Sequence, residues 1–239
     1  MDHGLFSARY PFFKATTGYL ADYTSNKRYT ATQTDPAFDP NQIFRQFGLH
    51  SQMATASVIG LGRVELFGMA GGTKEHVKWY NQPPETDLSA IFFNFRSSYS
   101  FSWCVGLKAI LLQWGNTSLG ADFSYFAVPS SPKSFFRFFN RLNLPIEMVP
   151  QKFSVEEWQV NMGLAAQFAI LTPYVGVTYL HSHMTISQGP ETPTTTYSND
   201  RTIGYFYGLT LSVTGRLHLD FERRLTDEFG YSFATTAVF

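Results

Sequence analysis

Apolar side chains recur at every second position through much of this chain. In the last such run Phe229, Tyr231, Phe233, Ala237 and Phe239 share one face, and Gly230, Ser232, Ala234 and Thr236 share the other. Upstream, Leu217, Leu219 and Phe221 alternate with His218, Asp220 and Glu222. Ile203, Tyr205, Tyr207, Leu209, Leu211 and Val213 alternate with Gly204, Phe206, Gly208, Thr210 and Ser212. Residues 158–170 and 99–111 repeat the rhythm, led by Trp158 and Tyr99. A period of two is the signature of a strand with unlike faces. The runs last about 10 to 13 residues, whereas ordinary strands have a mode near 5 or 6. A strand crossing a bilayer at a tilt needs about 9 to 11. The minority face is Gly, Ser, Thr, Asn and Gln with few Lys or Glu, which suits a cramped polar lumen better than a water-facing exterior. The majority face is aromatic at its ends, as interfacial girdles require.

Connections alternate short and long. Tight turns are expected near Gly60-Leu61-Gly62, Gly115-Asn116-Thr117, Leu171-Thr172-Pro173 and Thr214-Gly215. Longer segments, at about 24–43, 71–97, 129–153 and 185–200, carry the prolines. The expected fold is all-β: a transmembrane antiparallel up-and-down barrel with short periplasmic turns and longer extracellular loops. About ten strands are expected, with eight or twelve as alternatives, at roughly 10–22, 47–59, 62–70, 98–112, 117–128, 156–169, 173–184, 201–213, 216–224 and 229–239. An even count puts both ends in the periplasm. Segment 88–96 either extends the fourth strand or adds another. No linker divides the chain, so 1–239 reads as a single barrel domain.

Composition sharpens this picture. Charged residues make up 15% of the 239, well below the roughly 25% of soluble domains. Aromatics reach 17%, yet mean hydropathy is only −0.13, so the chain is apolar on alternate residues only. No apolar run reaches the roughly 18 residues of a membrane helix. The net charge of +0 lacks the basic footprint of a nucleic-acid binder. A lone cysteine, Cys104, leaves no internal disulfide framework and no multi-Cys metal site. No charged start and apolar stretch follow Met1, so an exported protein would begin here at a mature N-terminus.

Several segments resemble the chlamydial major outer membrane protein (porin) family. They are GYLADY at 18–23, SFSWCVGLKAILLQWGNTSLGADFSYF at 100–126, EEWQVNMGLAAQFAILTPYVGVTYL at 156–180 and FERRLTDEFGYSFATTAVF at 221–239. The resemblance implies an outer-membrane barrel that conducts small solutes. Two departures stand out. The chain is shorter than the main porins, and it has one cysteine where those members are cysteine-rich and cross-linked.

The inward charges Lys14, Glu65, Lys108, Asp122, His218, Asp220 and Glu222 form the candidate constriction, where such groups set ion preference. Ten strands lie nearer the filled limit of small barrels than the open limit of large ones, but inward Gly163, Gly204, Gly208, Gly120, Ser124 and Ser212 leave room. The alternative is a non-conducting barrel that acts through its loops as an adhesin or structural envelope protein. Phe229, Tyr231, Phe233 and Phe239 form an aromatic-spaced last strand, and this resembles the signal read by the barrel-assembly machinery. His181 and His183 share a strand face and read as a rim pair rather than a metal site. Asp200, His181, His183 and Asp227 supply acid and base groups, but no nucleophile motif accompanies them, so no enzyme activity, catalytic residue or cofactor is expected. Trp103 and Trp158 read as girdle residues, and Cys104 as a buried free thiol. Arg223 and Arg224 end the ninth strand at the outer rim, placed to meet lipid phosphates or to snorkel to water. The expected partners are outer-membrane lipid or lipopolysaccharide and the assembly machinery, with further copies of the chain as an open alternative.

Overall fold

A strand inside a membrane must find partners for every N–H and C=O, because lipid offers none. The computed structural model meets that demand by closure. It describes residues 13–25, 27, 29–33, 42–81, 91–129, 134–139, 145–147, 152–187, 194–199, 202–225 and 229–239. In chain order the strands are β1 (Phe13–Ser25), β2 (Tyr29–Gln33), β3 (Gln42–Gly60), β4 (Val64–Asn81), β5 (Ile91–Ser97), β6 (Ser100–Trp114), β7 (Thr117–Val128), β8 (Ser134–Phe139), β9 (Pro145–Glu147), β10 (Lys152–Ala166), β11 (Leu171–Ser187), β12 (Thr194–Asn199), β13 (Ile203–Thr214), β14 (Leu217–Leu225) and β15 (Phe229–Val238). Ten of these, β1, β3, β4, β6, β7, β10, β11, β13, β14 and β15, pair antiparallel with their sequence neighbours, and β15 closes onto β1. The result is the expected up-and-down barrel.

The alternation seen in the sequence becomes inside and outside. Leu66, Phe101, Met162, Val175 and Leu209 are exposed on the outer wall, while Thr73, Ser102, Thr178 and Thr210 between them are buried. Aromatic residues bound the outer belt. Phe13, Trp114, Phe168 and Phe239 lie toward the short turns, and Tyr23, Tyr99, Tyr205 and Tyr231 lie toward the other end. Trp103 lies tilted beside Tyr125 and Trp158 beside Tyr179, with ring centroids 5.5 and 5.2 Å apart. Register sets Tyr207, Arg223, Tyr231, Tyr23, His50 and Lys74 side by side in one row around this rim. Above that row the outward positions of β4 turn polar with His76 and Lys78, so Lys74 marks the end of the apolar belt.

Three sequence expectations change. The turn expected at 171–173 lies three residues earlier. Phe168 and Leu171 exchange backbone hydrogen bonds of 2.7 and 2.8 Å, Ala169 takes a positive φ of 50°, and Pro173 is already in β11. The segment at 71–97 contains strands: β4 continues to Asn81, and Ile91–Ser97 returns as a separate strand paired with it. The segments at 24–43, 129–153 and 185–200 likewise contain strands. β8 adds to β5, β9 adds to β8, and β12 bridges β11 and β2. These pieces prolong the wall beyond the membrane. Inside that prolonged end sits an apolar cluster of Tyr29, Phe47, Leu49, Val77, Val128, Phe153, Val155, Met184 and Tyr197. A smaller cluster of Ala165, Tyr174 and Phe206, flanked by Ile110, fills the lumen toward the short turns.

Candidate functional site: the barrel lumen

Between the two apolar clusters the lumen is polar. Cross-strand register aligns Glu65, Lys108, Asp122 and Asn161 on four consecutive strands. Lys108 therefore stands between two carboxylates, and opposite charges facing across a ladder favour each other. Asn161 Nδ2 donates to Asp122 Oδ1 at 2.9 Å, and Gln159 Nε2 donates to Asn161 Oδ1 at 2.8 Å. On the facing wall Thr210 Oγ1 donates to Asp220, and Tyr174 OH donates to Glu222 Oε2 at 3.3 Å. Arg224 forms an ion pair with Asp22. These residues surround a chamber of about 270 Å³, whose lining includes six carboxylates (Asp22, Glu65, Asp122, Glu157, Asp220 and Glu222) and two cations (Lys108 and Arg224). Carboxyl groups outnumber cations in this lining, and low-dielectric walls concentrate the field of any net charge there.

Three inward glycines, among them Gly208 of the expected room-leaving set, are occupied by rings. A Cβ on Gly208 would lie 2.3 Å from Tyr174 Cζ, one on Gly176 2.4 Å from Phe206 Cζ, and one on Gly106 2.2 Å from Phe67 Cζ. Each ring lies flat over a glycine of a neighbouring strand, so the glycines seat rings. Lys108 Nζ in turn sits 5.0 Å from the Phe67 ring centroid, within reach of a cation–π attraction.

At the outer mouth Lys27 reaches in from the segment after β1 and pairs with Glu157. It is 1% exposed, and its backbone N–H donates to Phe47 O at 3.2 Å. Ser182 Oγ donates to the same Glu157 oxygen at 2.8 Å and lies 2.7 Å from Tyr29 OH. This ion pair pins the mouth-filling apolar cluster to the wall. Nearby, Glu75 lies inward at the level of Lys74, above the belt. Ser97 Oγ accepts from its backbone N–H at 2.7 Å, while both carboxyl oxygens are buried without a hydrogen-bond partner. Burial pushes this carboxyl up to about 7.

Of the sequence candidates, Glu65, Lys108, Asp122, Asp220 and Glu222 line the chamber. Lys14 and His218 share the inward parity but lie nearer the short turns, outside its lining; His218 Nδ1 is 3.1 Å from Ser212 Oγ. Asp22, Glu157, Asn161, Tyr174 and Arg224 are chamber residues that the sequence reading passed over. Arg224 corrects the rim reading directly, since it points into the lumen while Arg223 stays outside. Parity carried that signal: 224 alternates in step with 220 and 222. Cys104 is buried and free. His181 and His183 face outward with their Nε2 atoms 2.8 Å apart, and no metal-ligating group of three occurs among the described residues. Asp200 and Asp227 lie outside the described residues. Phe229, Tyr231 and Phe239 are exposed on the outer wall, and Phe233 shares their parity.

Known proteins add a relationship. A major outer membrane porin of Chlamydia psittaci is 27% identical over 184 residues, covering 66% of this chain and 45% of the relative. That of Chlamydia pneumoniae is 26% identical over 189 residues, covering 66% and 44%. The chain is a divergent relative of the chlamydial major outer membrane porins. It spans about half the length of the curated relatives it matches. No protein-family model matches. Among solved structures, the outer membrane protease OmpT from Escherichia coli has a TM-score of 0.47 at 10% identity, covering 96% of this chain and 97% of that one. The COG4313 outer membrane channel from Pseudomonas putida F1 has a TM-score of 0.46 at 8% identity and full coverage of both. The apolar belt, its aromatic girdles and these porin relatives together make this an outer-membrane barrel.

Proposed function

We propose that the protein is a narrow, porin-like channel for small solutes and ions, with preference for cations. The observation that carries this reading is the chamber itself: a closed wall lined by six carboxylates and two cations, with Lys27 pairing one of the six, Glu157, at its outer end. A barrel with only a structural role gains little from burying such a set, because each unpaired charge taken from water is costly. Rings of acidic side chains are a means by which pores favour cations. The porin relatives support the same activity, and no enzymatic chemistry is proposed. The apolar cluster at the outer mouth makes the resting pore narrow, so passage requires Lys27 and the cluster side chains to shift. Refolded protein in planar bilayers should give small, cation-preferring conductance steps. A well-folded barrel that gives none would refute the channel. That cluster favours a second reading, a non-conducting envelope barrel acting through its prolonged outer strands, which the same silent bilayer would support.

A further inference from the structure

We propose that the outer wall carries a binding site for a phosphorylated, acylated glucosamine lipid of the outer leaflet, formed where β13, β14, β15, β1 and β3 meet. A groove of about 470 Å³ lies there on the outer wall, within the range of ordinary ligand sites. Two rows of the ladder build it. The upper row holds Tyr207, Arg223, Tyr231, Tyr23 and His50, at the girdle furthest from the short turns. The row beneath holds Leu209, Phe221, Phe233 and Ala21. Ala21 is the small member of that row, and its missing bulk makes the hollow beside the Phe221 and Phe233 rings, whose centroids lie 5.0 Å apart. The lower part is thus apolar and shaped for a chain, and it faces the membrane interior.

The upper part is cationic. Arg223 Cζ lies 5.2 Å from the Tyr231 ring centroid, and Nη1 donates to Tyr207 OH at 3.3 Å. Two tyrosines therefore fix the fork in place at the aromatic girdle. Its Nε is buried without a hydrogen-bond partner, and Nη2 bonds to no described residue. Among the described residues no carboxylate pairs with Arg223, whereas its neighbour Arg224 is paired with Asp22. A rigid, unpaired guanidinium at headgroup depth suits a phosphate, which it binds through parallel N–H donors. His50 and the tyrosine hydroxyls beside it suit sugar hydroxyls. The girdle on the side away from the short turns is that of the outer leaflet, and this selects an acylated phosphosugar over an inner-leaflet phospholipid.

The test is native mass spectrometry of the folded chain in detergent micelles with diphosphoryl lipid A as probe. Wild type should retain one lipid A through partial detergent removal. Arg223→Gln should cut the retained fraction tenfold or more, and Arg223→Lys should restore part of it. Ala21→Phe, which fills the groove while leaving the cation in place, should cut it to a similar degree. Dephosphorylated lipid A and phosphatidylglycerol should both bind weakly. Heat-modifiable mobility on gels reports that each variant is folded. Equal retention by wild type and by folded Arg223→Gln and Ala21→Phe overturns the site. Equal retention of phosphatidylglycerol overturns the assignment of the lipid class.

Discussion

Replacing Lys27 with methionine should cost the barrel about 3–5 kcal/mol, although a methionine fits the same apolar surroundings. Lys27 is 1% exposed and its partner Glu157 is largely buried. At a contact distance of ~3 Å and an effective dielectric near 20, such a pair attracts with about 5 kcal/mol. Desolvation of the two ions takes several kcal/mol each, so the pair as a whole contributes little net stability. The asymmetry appears when one member is removed, because Glu157 is then left buried with Ser182 as its one remaining donor among the described residues. The double variant Lys27→Met/Glu157→Met removes both charges and should return to within about 1 kcal/mol of wild type. Equilibrium guanidinium unfolding in lipid vesicles, followed by tryptophan fluorescence, measures all three forms. Lys27→Met should also enlarge the conductance step, because the apolar cluster loses its pin. A single variant as stable as wild type, or a double variant as unstable as the single one, would refute the latch.

Three further outcomes follow from the lumen. Lys108→Glu leaves Arg224 alone against seven carboxylates in the chamber, so the potassium-to-chloride permeability ratio from reversal potentials should rise several-fold. Gly208→Ala places a methyl 2.3 Å from Tyr174 and 2.4 Å from the backbone oxygen of Phe221. The overpacking should cost about 1–3 kcal/mol, read as a lower denaturation midpoint. Glu75 is held up to about 7 from an ordinary 4.5 by burial, so folding favours its protonated form. Its contribution is complete below pH 4.5 and is lost as pH rises through 7, an effect on the order of 3 kcal/mol at most. Glu75→Gln should flatten that part of the stability profile, as thermal unfolding across the range would show.

Ten barrel strands were legible because lipid and lumen demand opposite chemistry on alternate residues. Where the wall leaves the membrane, that demand ends. Along 73–78 the inward residues are Thr73, Glu75 and Val77, and the outward ones Lys74, His76 and Lys78. Neither face is consistently apolar, so the upper half of β4 reads as a loop although it pairs residue by residue with β3. Five lumen charges, Glu65, Lys108, Asp122, Asp220 and Glu222, are legible by parity; Asp22 and Glu157 go unmarked, and Arg224 reads as one of a rim pair with Arg223. What sequence parity does not convey is which inward groups meet. Asp22 and Arg224 lie on strands separated by β15, and they come together only because the wall curves. Phe206 between two glycines was a visible sign of a ring folded over a small residue, but its seat, Gly176, lies on another strand.

Every barrel ladder but one joins strands that follow each other along the barrel, so most of the wall can assemble from hairpins. The exception is the seam between β1 and β15, where ten residue pairs from Thr16–Val238 to Ser25–Phe229 must meet across nearly the whole chain. Closing such a contact costs chain entropy before it returns any hydrogen bond. Asp22 and Arg224, 202 positions apart, straddle this seam, so their attraction draws together the two edges that have no local route to each other. In kinetic terms the pair is a clasp. Removing it should slow ring closure more than it weakens the finished ring, and should lengthen the life of an open sheet with two unpaired edges, the form most exposed to joining another copy of itself.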